Sequence, residues 1–203
     1  MKMHIEKTAR GFTLLELIIT FSIILIIVVI AGIFAASMIN SQSFFKSSLE
    51  TQGEVQQAIQ VMLQETRAMA TSNTGSYPID IASTSTFGFY SDVNGDGYLD
   101  HVKYFLSGTT IKKGTIKPAG NPLSYIPANE IVIDVVHNIV PGSAPVFTYY
   151  DQDYTGSELP LPDPAPIPSI TAISIQITAQ ENNQSAGATF SATAVPRNLR
   201  TNL

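Results

Sequence analysis

Residues 11–38 read GFTLLELIITFSIILIIVVIAGIFAASM, and Glu16 is the one charged residue among them. As a helix rising about 1.5 Å per residue, this run exceeds the roughly 30 Å hydrocarbon core of a bilayer, so it reads as a membrane span over about 14–39. After Glu16 the next charge is Lys46. On the other side lie Lys2, Lys7 and Arg10 against Glu6, and such a basic excess is retained on the cytoplasmic side. The remainder of the chain is therefore expected outside the cytoplasm.

The span also accounts for the composition. In 203 residues, 44% are hydrophobic and 13% charged, which is greasier than a soluble domain of this size because the excess lies in one segment. About 130 residues follow Thr71, enough for one self-sufficient core. An exported domain is free to use disulfides, yet the chain has no cysteine, so core burial and hydrogen bonds, with or without a metal, must hold it. A net charge of −5 argues against a nucleic-acid binder, whose affinity comes mainly from basic side chains on phosphates.

A secretory signal peptide has a short apolar core and then a small-residue cleavage site. Here the polar leader MKMHIEKTARG precedes the greasy segment, and the segment is too long. The string Gly11, Phe12, Thr13, Leu14, Leu15 and Glu16 resembles the processing site of type IV prepilins and pseudopilins. That resemblance implies a membrane-embedded prepilin peptidase that cuts after Gly11 and leaves Phe12 as an N-methylated terminus. A flexible Gly11 suits a backbone that must enter a protease extended.

Glu16 is the sharper feature, because a carboxylate inside a membrane helix costs about 2.5 to 3.5 kcal/mol and needs a partner. The resemblance names one: the N-terminal amine of a neighbouring subunit, which would set the register of assembly. It also implies other pilin or pseudopilin subunits, an assembly platform protein, and a filament at the cell surface or in the periplasm. The alternative for Glu16 is a plain signal anchor whose carboxylate reaches the headgroups. The span lacks the proline that many family members carry partway along this helix, and Gly32 is its weakest helix former.

Beyond residue 46, Val55, Ile59, Met62 and Met69 fall near one face of a 3.6-residue period, widened by Leu49, Ala58 and Leu63. Glu50, Glu54, Gln57, Glu65 and Arg67 lie mostly elsewhere, so the helix continues as an amphipathic stem. TSNTGSYP ends it. Then come STFGFYS, YLDHVKYFLS, TTIKKGTI, EIVIDVVHNI, PVFTYYD, ITAISIQITAQ and ATFSATAV, all β-branched or aromatic and separated by turn residues. The expected fold is α+β: a leader at 1–11, a long helix at 12–70, and an antiparallel sheet in a head at 71–203. GSELPLPDPAPIPS, with its alternating prolines, reads as a surface loop joining two strands.

Asp92, Asn94, Asp96 and Asp100 form D-x-N-x-D-G-x-x-D, with Gly97 where an EF-hand-type loop turns sharply. Oxygens at alternate positions, with the Tyr98 carbonyl, suit calcium. Lys103 stands where an EF-hand has its bidentate glutamate. The same residues also suit a plain hairpin turn in which Asp and Asn cap their own backbone and the glycines take positive φ.

The histidines are His4, His101 and His137, and none adjoins a nucleophile motif, a phosphate-cradling loop or a metalloprotease helix. The expected role is not enzymatic. The leading expectation is a minor pilin or pseudopilin, serving adhesion, DNA uptake, motility or secretion. The alternatives are an adhesin displayed on a pilus and an uncleaved, membrane-anchored calcium-binding domain.

Overall fold

The computed structural model describes residues 11, 13–140, 142, 144–180 and 187–199, and for 39–51 the helical backbone alone. One long helix, α1 (Leu14–Arg67), is followed by eight strands. These are β1 (Ile79–Ala82), β2 (Thr86–Ser91), β3 (Asp100–Ser107), β4 (Thr110–Ile116), β5 (Ile131–Val136), β6 (Phe147–Tyr150), β7 (Ala172–Ala179) and β8 (Ala188–Ala194). The chain divides into two compact units, Met1–Lys46 and Ser47–Leu203.

In the first unit the described part of the helix is apolar on every side and exposed. From Leu14–Met38 the mean hydropathy is 3.2 and none of the segment is buried. Its few hydroxyls are satisfied within the helix: Thr20 donates to the Glu16 carbonyl and Ser22 to that of Ile18, at 2.9 and 2.8 Å. This back-bonding is how hydroxyls are accommodated where water is absent.

In the second unit the stem buries Val55, Ala58, Ile59, Met62 and Leu63, as the 3.6-residue period predicts. Each of these side chains larger than alanine contributes about 1.5–3 kcal/mol. The helix ends where the Ala68 N–H is shared between the carbonyls of Gln64 and Glu65. The Ala70 N–H then donates to the Tyr90 carbonyl at 3.0 Å, so the chain passes directly from helix to sheet.

The seven predicted strand segments all form strands, and β1 is an addition that its four residues after Pro78 did not signal. The strands build two antiparallel sheets and not one: a meander β1-β2-β3-β4-β5 and a smaller sheet β6-β7-β8. The division falls after β5, where Asn138 adopts φ 58° and Ile139 bridges to Ala179 at the end of β7. Alternation along a strand records which face is buried and not which strand lies beside it.

The two sheets share one core with the stem. Phe87 of β2 lies 4.8 Å from the Phe89 ring, 5.7 Å from Phe147 of β6 and 5.9 Å from Tyr149, centroid to centroid. The proline-rich segment runs between β6 and β7 as a loop. It is tied down by Asp163, which accepts from the Thr84 N–H and hydroxyl at 3.1 and 2.8 Å.

Of the acidic stem residues expected off the apolar stripe, Glu65 departs from that placement and Glu54 keeps it. Glu65, flanking the apolar stripe, turns to the sheet, where Tyr104 and Lys113 bond its two oxygens. Glu54 reaches His137 at 2.9 Å.

Candidate functional site

Two places in the chain concentrate the chemistry, the first turn of α1 and the loop between β2 and β3. At the first, Thr13 is the helix cap: its Oγ1 accepts from the Glu16 N–H at 3.3 Å and its carbonyl from the Leu17 N–H at 3.2 Å. Thr13-Leu14-Leu15-Glu16 thus has the spacing of a capping box, in which a threonine and a glutamate three residues on serve a helix N-terminus. Glu16 is the acidic residue of that first turn, where the helix dipole favours a negative charge.

Gly11 and Thr13 are exposed and sit immediately before the helix. A side chain at Gly11 would meet no neighbour, and its φ is not one that excludes other residues, so neither crowding nor backbone geometry requires glycine there. Phe12 and the basic leader, including Lys2, Lys7 and Arg10, lie outside the described residues. Large apolar side chains follow with much of their surface bare, from Leu14 at 77% to Met38 at 51%.

The second place is the hairpin loop. Asp92 Oδ1 accepts from the N–H groups of Gly95 and Asp96 at 2.7 and 3.2 Å, and its Oδ2 accepts from Gly97 at 3.0 Å. Asn94 Oδ1 accepts from Asp96 at 3.0 Å, and Asp96 Oδ1 from Tyr98 at 2.9 Å. Gly95 and Gly97 adopt φ 74° and 84°, which only glycine takes without cost. Asp and Asn therefore cap the loop backbone, as the hairpin-turn reading expects. Among the described residues no three His, Asp or Glu side chains are already gathered as a metal-holding group.

Asp100 is different. It opens β3 on the core face, is 1% exposed, and neither carboxylate oxygen has a hydrogen-bond partner. Burial pushes its pKa up, and the nearby Asp96 carboxylate adds to this while Lys117 opposes it. Lys117 was not evident from the sequence. It follows β4, and extending by one residue the register that pairs His101 with Ile116 sets it opposite Asp100; its ammonium bonds Asp96 Oδ2. The hairpin register was the signal from which it could have been found.

His4 lies outside the described residues, and the other two histidines are paired with carboxylates. His101 Nε2 lies 2.7 Å from Asp80 Oδ2, and His137 Nδ1 lies 2.9 Å from Glu54 Oε1. An open cleft of about 610 Å³ presents Tyr77, Asp151, Asp153, Tyr154 and Ser169 without a histidine, lysine or cysteine beside the hydroxyl.

Residues 7–38 match the family model of the prokaryotic N-terminal methylation motif. Comparison with curated proteins finds no match. The motif coincides with the helix cap, the lone carboxylate and the uncovered membrane-length helix just described. Over residues 7–38, then, the chain carries the methylation motif that supports a type IV pilin-like family.

Proposed function

We propose that the protein is a structural subunit, of the minor pilin or pseudopilin kind, of a type IV pilus or a type II secretion-like filament. In this reading prepilin peptidase cuts after Gly11, Phe12 becomes the methylated N-terminus, and the leader faces the cytoplasm with the head on the far side. Glu16 then pairs with the N-terminal amine of a neighbouring subunit.

The observation that carries the reading is the apolar helix Leu14–Met38, bare on all sides, with its one carboxylate in the first turn. A bilayer covers such a helix before assembly, and neighbouring helices cover it in a filament. An intramembrane carboxylate with no side-chain partner among the described residues calls for one from outside. Gly11 fits the same reading, since neither packing nor φ demands glycine at that position.

The test is the intact mass and N-terminal sequence of protein recovered from membranes or sheared filaments, wild type against Gly11→Val. A wild-type chain that begins at methylated Phe12, and a variant that keeps its leader, are expected. An uncut leader in both would overturn the proposal.

A further inference from the structure

We propose that the loop between β2 and β3 is a site for a hard divalent cation of the calcium type, held by the buried carboxylate of Asp100 with oxygens from Asp92, Asn94 and Asp96 and the Tyr98 carbonyl. The site is independent of the filament role, since all its residues lie in the head.

Asp100 carries the argument. A carboxylate 1% exposed with no hydrogen bond to either oxygen is a costly element unless something neutralises it. Opposite it across the β2–β3 ladder is Ser91, 0% exposed, whose Oγ also has no partner. Directly opposed residues of an antiparallel pair face the same side. Two unpartnered oxygen-bearing side chains therefore lie together at the base of an acidic loop. The chain leaving helix α1 passes beside them, where the Ala70 N–H donates to the carbonyl of Tyr90, the neighbour of Ser91.

The loop side chains are not already gathered around one point, so a cation draws them together, and each keeps an oxygen lone pair free for it. Each of Asp92, Asn94 and Asp96 accepts loop N–H groups but keeps at least one oxygen lone pair, since each such oxygen has two. Asp96 already attracts a cation in the form of the exposed Lys117 ammonium. Asp96 and Asp92 are also the two carboxylates whose charge bears most on Asp100.

The chemistry favours calcium because the set is all oxygen, flexible and rich in carboxylates, whereas magnesium demands near-octahedral order. Lys103, at the position of the missing bidentate glutamate, turns away to pair with Glu130 at 2.8 Å and adds no ligand. Affinity in the range of extracellular modules follows, with Kd about 10⁻⁴ to 10⁻³ M.

The experiment is thermal unfolding of the full chain in detergent micelles, followed by circular dichroism, in 10 mM CaCl2, in 1 mM EDTA, and in NaCl of matched ionic strength. Calcium is expected to raise Tm of the wild type by roughly 3–10 °C over NaCl. Asp100→Asn is expected to lose that rise and, in EDTA, to melt at or above the wild type, because the amide sheds the buried charge. Lys117→Met, a change at an exposed side chain, is expected to lower the calcium concentration for half-saturation several-fold by removing the competing ammonium. An equal Tm in CaCl2 and NaCl overturns the proposal, as does a calcium rise retained in Asp100→Asn. Should Asp100→Asn fail to fold, an unchanged half-saturation point in both Lys117→Met and Asp96→Asn overturns it instead.

Discussion

Tyr104 of β3 donates its hydroxyl to Glu65 Oε2 of α1 at 2.6 Å, and Lys113 of β4 bonds the other oxygen of the same carboxylate at 2.5 Å. Tyr104 is 1% exposed, and burial first, then the Glu65 charge, pushes its pKa far up and keeps the phenol a donor. This three-way junction fastens the stem to the meander where the apolar stripe ends.

Removing one arm of it has a calculable cost. Tyr104→Phe is expected to lose about 1.5–3 kcal/mol, the scale of a hydrogen bond to a charged group. Glu65→Gln, which strands the largely buried Lys113, is expected to cost about 3 kcal/mol or more. Urea unfolding midpoints of the two variants check this, and a Glu65→Gln loss below that of Tyr104→Phe would contradict it.

Phe87 joins the two sheets through Phe147 and Tyr149. Phe87→Ala is therefore expected to cost about 3–5 kcal/mol by cavity formation. Near-UV circular dichroism is the readout, since tyrosine environments in both sheets should loosen together.

His137 makes the head pH-sensitive in a defined direction. The hydrogen bond to Glu54 raises its pKa above the usual 6.5, with further help from the Asp134 charge. The stabilisation is fully present below about pH 6.5 and is lost as pH rises through the elevated folded value. The contribution is small because the side chain is half exposed. His137→Gln should flatten the Tm-against-pH curve above pH 6.5 while leaving the more acidic limb, set by the carboxylates, in place.

Glu16→Ala separates processing from assembly. Cleavage after Gly11 should persist, because the leader and the glycine are intact. Incorporation into sheared filaments should fall roughly ten- to a hundredfold, the equivalent of about 1.4 to 2.8 kcal/mol for the lost pairing. Normal incorporation would remove Glu16 from the assembly contact.

Much of this was readable from short-range pattern. The helix, expected at 12–70 and found over Leu14–Arg67, follows from an apolar run joined to a 3.6-residue stripe, while its start at the Thr13 cap was seen only in the structure. β2 to β8 follow from β-branched and aromatic runs between turn residues, whereas β1, only four residues long, lacks enough pattern to stand out. The N-terminal motif was legible because its chemistry is carried by neighbours in sequence.

The sequence by itself determined the membrane-length helix, the stem's buried face, the strands and the Gly-Phe-Thr-Leu-Leu-Glu string, since each depends on residues within one or two turns of each other. Tertiary structure alone decided that the strands split into two sheets, that Glu65 meets Lys113 across 48 residues, that Lys117 reaches Asp96, and that Asp100 is sealed without a partner. The physical reason is that periodicity specifies which face of an element avoids water, while the identity of the group waiting on that face is set by how distant elements pack.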